Sequence, residues 1–269
     1  MLVGASGERR PPGLNHAYVV LDQATFDAMR DSASLAAVLG QGDAGLPDYA
    51  PVARDADRFF LRGRQTYLEL FAPRNRFDEP VGKVGIGIGT DTSAGFRRIE
   101  AGWRRTCGTG LTRDTISWSK AAPPVPWYEV LYCKATGSGS ALVMWVMLYR
   151  PEFGRWQIGR PAIDRRALLA SRAAAGQGRF EVTGLTLDVS PALGRGVMAQ
   201  LESAGFRRSM AADGTRLTGD GWSLTLRVVA GGSRLRAINL AVAPGARSLK
   251  LGKATLVRTG TGTARLQFD

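Results

Sequence analysis

The sequence predicts an α+β fold built from paired βαβββ units. Residues 14–73 show the pattern of a strand, a helix and three strands, and residues 82–151 repeat that order. The two copies align on their final prolines, Pro73 and Pro151, and a third, looser copy begins at Phe180. A repeat of this length determines the architecture. We therefore expect a mixed sheet from the first two copies, plus a degenerate third unit.

The first copy begins with a strand at 14–21, where β-branched and aromatic residues alternate with period two. Asp22 is a helix N-cap, and an apolar stripe predicts a helix over 23–39. A loop follows at 40–47. The three remaining strands of this copy are predicted at 48–55, 58–61 and 66–72.

The second copy begins with a strand of small and β-branched residues at 83–90. Asp91 or Thr92 caps the following helix, and Gly108 and Gly110 end it. Its three remaining strands are predicted at 112–119, 126–134 and 141–150, with a turn over 137–140 before the last one.

The rest of the chain divides into a linker and the third unit. Residues 1–13 form a flexible lead, 14–151 the paired domain, 152–179 a linker with a helix over 161–175, and 180–269 the third unit. The third unit contains a helix that begins at Ser190-Pro191 and ends before Gly205. Its strands are predicted at 180–189, 214–218, 222–230, 234–243, 254–258 and 264–268.

Composition limits the classes of partner. The 269 residues carry a net charge of +13, with 36 Lys and Arg residues, of which only five are lysine. The arginines occur as scattered pairs outside any nucleic-acid motif, which favours a solvated basic surface and no nucleic-acid partner. A positive surface would still attract anionic small molecules. Arginine-, alanine- and glycine-rich usage is typical of a GC-rich genome.

Two further features concern location and oxidation state. No apolar run is long enough to span a bilayer, and the lead has no apolar segment of signal-peptide length. We expect a soluble protein, either cytoplasmic or a mature periplasmic chain. Cys107 and Cys133 lack CxxC spacing, which excludes a zinc finger and leaves a disulfide or two buried thiols as alternatives. The sequence leaves the oligomeric state open.

One histidine and one glutamate are the candidate chemical groups. His16, the only histidine, shares a strand face with Tyr18, and Glu69 shares one with Tyr67 and Phe71. An imidazole and a carboxylate on facing strands could bind a metal or move a proton. The alternative is a half-buried His–Glu pair with a structural role only.

The segments LNHAYVVLD, TYLELF, PWYEV and WVMLYRPEF carry a family resemblance. The chain resembles the vicinal oxygen chelate superfamily of glyoxalases, extradiol dioxygenases and antibiotic-resistance proteins. More narrowly, it looks like a family of uncharacterised bacterial glyoxalase-like proteins. The resemblance implies an open cup with one divalent metal (Fe, Mn, Zn or Ni) on its floor, and His16 and Glu69 as the metal ligands and catalytic residues.

The second copy departs from that pattern, because Met147 and a Gly-Ile-Gly-Ile-Gly strand stand where ligands are expected. Glu129 is a candidate third ligand. The glycines do not match a dinucleotide fingerprint, and they leave room for a ligand or for a large side chain. The predicted substrate-binding residues are Tyr18, Tyr67, Phe71, Gly85, Gly87, Trp127, Glu129, Trp145, Met147 and Tyr149.

Two classes of function follow from this reading. The first is a glyoxalase-like lyase, isomerase or dioxygenase that uses the His/Glu pair, with or without a metal. Its substrate would be aromatic or apolar, and an anionic group on it would suit the arginines. The alternative is a non-catalytic, drug-sequestering protein of the same fold, which the missing ligands of the second copy favour.

Overall fold

The computed structural model describes residues 11–134, 141–174, 176–245 and 247–269. The turn predicted over 137–140 lies outside these residues. The first half of the chain contains β1 (Gly13–Val20), α1 (Gln23–Arg30), α2 (Ala33–Leu39), β2 (Arg58–Arg62), β3 (Tyr67–Phe71), β4 (Val84–Gly89), α3 (Ser93–Cys107), β5 (Leu111–Trp118), β6 (Val125–Cys133) and β7 (Leu142–Tyr149).

The second half begins with two helices and continues into a second set of strands. Its elements are α4 (Pro151–Ile158), α5 (Arg165–Ala174), β8 (Phe180–Val189), α6 (Pro191–Ser203), β9 (Arg207–Ala211), β10 (Gly214–Thr218), β11 (Ser223–Val228), β12 (Arg234–Val242), β13 (Leu249–Leu251), β14 (Ala254–Gly260) and β15 (Thr263–Phe268).

The strands form two mixed sheets, and the predicted α+β class is confirmed. The first sheet has the order β2-β3-β1-β4-β7-β6-β5, and the second has the order β13-β14-β15-β12-β8-β11-β10-β9. In the first sheet, β1 pairs in parallel with β3 and antiparallel with β4, so the two copies meet at its centre. In the second sheet, β8 makes the same two kinds of pairing with β11 and β12.

The first copy departs from the prediction in two places. The strand predicted over 48–55 is wrong: this segment forms turns and loop. Pro47 and Pro51 cannot donate to a sheet ladder, and Tyr49 adopts a left-handed backbone with a φ of 56°. The single helix predicted over 23–39 is two helices, because Asp31 ends α1 and the Ser32 side chain caps α2.

The linker contains one helix that the pattern did not predict. Helix α4 begins directly after β7 with Pro151 in its first turn, where the missing amide of proline costs nothing. The helix predicted over 161–175 begins only at Arg165, because the Asp164 carboxylate accepts a hydrogen bond from the amide of Ala167 and thereby caps the first turn.

The third unit is more complete than its sequence indicates. Strands β8 and β10 have the predicted bounds, and β9, which was not predicted, completes a βαβββ order from β8 to β11. Strands β12 to β15 then follow without a helix and extend the second sheet on the other side of β8. Strand β13 was also missed, since its three residues are too few to show a period.

One core connects the two sheets. It contains Phe26, Trp103, Phe180 and Leu201, all fully buried. The indole of Trp103 in α3 donates a hydrogen bond of 3.0 Å to the carbonyl of Gln200 in α6, so the helices of the two halves are joined by a buried polar contact. No helix among the described residues is long and apolar enough to cross a membrane.

The two cysteines form a disulfide. Cys107, the last residue of α3, is bonded to Cys133 at the end of β6, with 5.7 Å between the Cα atoms. The bond closes a loop of 26 residues around the β5–β6 hairpin. Of the two alternatives that the sequence leaves open, the structure has the disulfide.

The α3–α6 contact gives a test of the fold. A Cβ atom added at Gly102 of α3 would lie 2.2 Å from the carbonyl oxygen of Ser203 in α6, whereas one added at Gly196 of α6 would meet nothing within 4 Å. We expect Gly102→Ala to lower the free energy of unfolding by about 1–3 kcal/mol through overpacking. Gly196→Ala should raise it by roughly 0.5–1 kcal/mol through helix propensity.

Urea unfolding of both variants beside the unchanged chain measures the two effects. They carry the same chemical change in a helix, so the opposite signs isolate the helix contact. Stabilisation by Gly102→Ala would show that α3 and α6 do not approach each other this closely.

Candidate functional site

The inner face of the first sheet lines one large cavity. Its volume is about 1160 Å³, and its walls come from β1 to β3 on one side and from β5 to β7 on the other. Aromatic rings dominate this lining; they belong to Tyr18, Tyr49, Phe60, Tyr67, Phe71, Phe77, Trp118, Trp127, Tyr128, Tyr132, Trp145, Tyr149 and Phe153. We call this cavity the cup.

The cup brings together most of the residues that the sequence singled out. His16 and Glu69 both lie in its lining. So do seven of the predicted substrate-binding residues, namely Tyr18, Tyr67, Phe71, Trp127, Trp145, Met147 and Tyr149. Gly85, Gly87 and Glu129 do not belong to the lining.

Glu129 lies on the opposite face of β6. Tyr128 pairs with Tyr149 across β6 and β7, so Tyr128 points into the cup and its neighbour Glu129 points away from it. There the Glu129 carboxylate pairs with Arg150 at 2.9 Å and also with Arg113. As placed in the structure, Glu129 is neither a third metal ligand on the cup floor nor a wall of the cup.

The glycines of β4 make room for side chains of β1. A Cβ atom added at Gly85 would lie 1.9 Å from the ring of Tyr18. One added at Gly87 would lie 3.0 Å from the His16 ring and 3.1 Å from Trp145. Of the two roles that the sequence allows for these glycines, the structure has the accommodation of large side chains.

A β-bulge orients His16. The register of β1 against β4 shifts between Leu14 and His16, so Asn15 is the extra residue and its side chain reaches the imidazole. The Asn15 Oδ1 atom lies 2.8 Å from His16 Nδ1 and accepts a weaker bond from the Tyr149 hydroxyl at 3.4 Å. Since an amide oxygen only accepts, we infer that Nδ1 carries the proton and that Nε2 is an acceptor.

His16 is held neutral by its surroundings. Its ring stacks on Tyr67 with 4.4 Å between the centroids and meets the edge of Trp145 at 5.1 Å. Burial, followed by the positive charge of Arg62, lowers the pKa of His16 to about 3. A neutral imidazole with so low a pKa is a weak base at neutral pH, and it accepts hydrogen bonds.

Glu69 is bound by an arginine of the neighbouring strand. Arg58 Nη1 lies 2.7 Å from Glu69 Oε1, and the guanidinium also lies over the rings of Phe60 and Phe77. Burial raises the pKa of Glu69 above its usual range, and the charge and hydrogen bond of Arg58 oppose that shift. Arg58 Nε is buried and has no hydrogen-bond partner among the described residues.

A buried ion pair closes the cup next to these residues. Arg62 Nε and Nη2 lie 2.8 and 3.0 Å from the two oxygens of Asp43, and the Gln177 amide donates to the same carboxylate at 3.0 Å. The guanidinium packs under the rings of Tyr67 and Phe60. Each group of the pair thus has a hydrogen-bonded partner of opposite charge, which offsets the cost of its removal from water.

A family model matches residues 14–268, nearly the whole chain. It describes a family of unknown function, DUF5829. The chain belongs to this family. A comparison with the curated proteins found none that matches.

Solved structures with similar folds include a hypothetical protein from Staphylococcus aureus, with 9% sequence identity and a TM-score of 0.55, covering 94% of this chain and 97% of that one. A catechol 2,3-dioxygenase matches with 14% identity and a TM-score of 0.48, covering 84% and 69% of the two chains. A variant of 4-hydroxymandelate synthase from Streptomyces coelicolor matches with 14% identity and a TM-score of 0.46, covering 84% and 70%. At these identities the likeness concerns the fold alone.

The residues of the cup do not fit a resident metal ion. In the described part of the chain, no group of three or more His, Cys, Asp or Glu side chains is placed to hold one. His16 Nδ1 is bonded to Asn15, and Glu69 is paired with Arg58. The nearby positive charges of Arg62 and Arg76 also act on Glu69, so a dication there would face strong repulsion.

Sequence reasoning missed the contribution of β2. Arg58, Phe60 and Arg62 all line the cup, and the two arginines, together with Arg76 and Lys83, place positive charge on this side of it. The period-two alternation of Arg58-Phe-Phe-Leu-Arg62 is the signal that could have placed these three side chains on one face. Which face it is depends on the pairing of β2 with β3, which lies outside the local pattern.

The neutral state of His16 can be measured directly, since the chain has one histidine. We expect its imidazole NMR signals to stay unchanged from pH 8 down to about 4, and to titrate near 6.5 in urea. Because the folded pKa lies below the unfolded value, the folded chain binds fewer protons between pH 6.5 and 3. The free energy of unfolding should therefore fall as the pH falls through this window.

His16→Gln should remove that part of the pH dependence of stability. Titration of the native imidazole between pH 6 and 7 would contradict the burial that the structure gives to this ring, and would make His16 available as a base.

Proposed function

We propose that this protein binds a small aromatic molecule in the cup without a resident metal, as a binding member of the vicinal oxygen chelate superfamily. The pairing of Glu69 with Arg58 carries the proposal, because it occupies the carboxylate that a metal would need. We therefore favour a drug-sequestering protein over a metal-dependent lyase, isomerase or dioxygenase.

The size and walls of the cup suit such a ligand. Ligand pockets commonly enclose about 300–1,000 Å³, and the cup reaches 1160 Å³. Tyr18 and Trp145 lie nearly parallel at 6.0 Å, and Trp127 stands edge-on to Tyr128. Planar rings bind such walls by offset stacking and edge contacts, which reward an aromatic ligand more than a flexible aliphatic one.

Three polar atoms of the cup residues indicate which hydrogen-bonding groups the ligand would have. Arg58 Nε and Trp127 Nε1 are buried donors that have no partner in the described part of the chain, and they belong to strands on different sides of the cup. His16 Nε2 is an acceptor by the tautomer assigned above. A ligand with acceptor atoms towards β2 and β6 and a donor towards β1 would satisfy all three, and unsatisfied buried donors favour such a molecule.

The charges of the cup indicate where an anionic group would bind. On the β2–β3 side, Arg58, Arg62 and Arg76 each have a carboxylate partner in Glu69, Asp43 and Asp57. On the β5–β6 side, Lys120 and Lys134 line the cup and make no ion pair within the described residues. An anionic substituent of the ligand would therefore lie against the β5–β6 wall.

A second candidate function is metal-independent proton transfer by Glu69. Burial raises the pKa of this carboxyl towards the range of a general acid or base, and the Glu69 backbone lies opposite Tyr18 in the cup. A lyase or isomerase of this kind would use the same cup, and the two candidates differ in whether the ligand is changed.

Fluorescence titration with 1-anilinonaphthalene-8-sulfonate, an aromatic anion with acceptor oxygens, tests binding in the cup. We expect Trp127→Phe to weaken binding about fivefold, because it keeps the ring and removes one hydrogen bond worth about 1 kcal/mol. Trp156→Phe is the matched control: Trp156 is outside the cup lining and should leave the affinity unchanged. Val143→Trp should narrow the cup and weaken binding.

The same titration in the presence of a chelator distinguishes binding through a resident metal from binding without one. We expect no change in affinity, whereas loss of binding with the chelator and recovery with a divalent ion would refute the proposal. Glu69→Gln should strengthen binding of the anionic probe, because Arg58 loses its counter-charge. If a substrate is found that the protein converts, Glu69→Gln distinguishes the two candidates. A variant that still binds this substrate but no longer converts it would support proton transfer by Glu69.

A further inference from the structure

The second sheet has an apolar and a polar face. Leu185 and Leu187 of β8 lie in the core together with residues of α6, and the intervening Thr186 and Asp188 point the other way. Directly paired residues of neighbouring strands share a face, which extends this polar face across β9, β10, β11, β8, β12 and β15. It carries Arg207, Arg216, Arg227, Arg234, Arg236 and Arg265, and we call it the arginine face.

One carboxylate stands at its centre. Asp188 is 5% exposed, and three guanidiniums surround it. The Nε atoms of Arg227 and Arg234 lie 3.3 Å from its oxygens, and that of Arg236 lies 3.8 Å away. Of these three, only Arg234 donates a hydrogen bond to Asp188 within the described residues. Asp188 therefore holds the arginines at one point and balances only one of their charges.

Within the described ranges, no carboxylate balances the remaining positive charge of the arginine face. Glu181 lies on the same face at the other end of β8, but its oxygens accept hydrogen bonds from the Gln65 amide and from the Thr66 hydroxyl. In the described part of the chain, Arg207 and Arg216 make no ion pair, and Arg265 donates to the neutral side chain of Asn239. The surplus positive charge on this face thus comes from side chains that stay partly or fully exposed to water.

The spacing of the arginines fits a compact anion with several phosphate groups. Arg227, Asp188 and Arg234 are paired across three adjacent strands, so the outer two backbones lie roughly 10 Å apart. Guanidinium groups present flat pairs of N–H donors that match phosphate oxygens. Three arginines converging within this width suit a diphosphate or triphosphate group better than a single small anion.

The same face lacks the means to bind bases. Phe180, Phe206, Trp222 and Phe268, the aromatic residues of the second half beyond α5, belong to the core or pack against it, and none lies on the arginine face. Proteins that bind single-stranded nucleic acids combine basic grooves with exposed aromatic rings on which the bases stack. An oligophosphate group, with charge and no need for stacking, is the partner that these residues suit.

We infer that the arginine face is a second binding site, separate from the cup, and that it takes a small molecule bearing a diphosphate or triphosphate group. Arg227, Arg234 and Arg236 contact the phosphate oxygens, and Asp188 positions their guanidiniums through Nε. Arg216 and Arg265, one strand further out on either side, add charge that attracts the anion.

Isothermal titration calorimetry with inorganic tripolyphosphate tests this site on the whole chain. We expect binding at low salt that weakens as the salt rises, since the contacts are exposed and screened. The double variant Arg227→Gln/Arg236→Gln should weaken the affinity at least tenfold. The matched control is Arg97→Gln/Arg195→Gln, which removes two exposed arginines from α3 and α6 and should change the affinity less than twofold.

Thermal melting confirms that both double variants are folded before their affinities are compared. An equal loss in the control pair would show that only net charge matters and would overturn the assigned site, as would absence of binding to the unchanged chain. Tighter binding of a short DNA duplex through the same arginines would replace the small-molecule partner with a nucleic acid. Val143→Trp should leave tripolyphosphate binding unchanged, which separates this site from the cup.

Discussion

The close approach of β1 to β4 is the constraint on which the first sheet depends. These strands join the two copies at the centre of the sheet, and large side chains of β1 cross directly over β4. Tyr18 lies over Gly85 and His16 over Gly87, at distances that leave no room for a Cβ atom or only barely allow one. Any larger residue at these positions would displace the rings that form the cup floor.

The paired strands β1 and β4 also contact the linker through α5. The Arg165 side chain of α5 packs where a Cβ atom of Gly13 or Gly89 would lie, and it donates a hydrogen bond to the carbonyl of Leu14. Its Nη2 atom also lies 2.8 Å from Asp91, two residues after the end of β4. The glycines of β4 therefore leave room for two kinds of side chain. Aromatic rings pack on the cup side, and a buried arginine packs near the end of the strand.

Burial explains why the ionisable groups of the cup are paired with one another. A charge taken out of water is tolerated only with partners, and Arg62 and Glu69 each have one in Asp43 and Arg58. His16 makes no ion pair with a carboxylate of the described residues, and burial lowers its pKa, so that the neutral form is favoured. The groups that could have formed a metal site are thus engaged in stabilising their own buried positions.

The sequence predicts local elements well and long-range register poorly. Period-two alternation predicted the faces of β1 and β3, and alignment of the two copies placed Trp145, Met147 and Tyr149 of β7 on the corresponding face. The facing of Glu129 depended on how β6 pairs with β7, where a shift of one residue moves every side chain to the other face. The strand predicted over 48–55 failed because Pro51 cannot donate to a sheet ladder and Tyr49 adopts a left-handed backbone.

The two sheets share one strand-pairing pattern, but the face of the first is apolar and aromatic and the face of the second is polar and basic. Tyr18 stands between Glu69 and Gly85 in the first sheet, and Thr186 stands between Thr225 and Ala237 at the matching place in the second. In the first sheet, aromatic rings packed over glycines form a deep apolar floor, and each charge buried there needs a partner. Small residues at the same place create a polar floor, and the arginines around it reach water. Because water screens their mutual repulsion, they are stable without matching carboxylates, and much of the chain's surplus positive charge can be placed on this sheet.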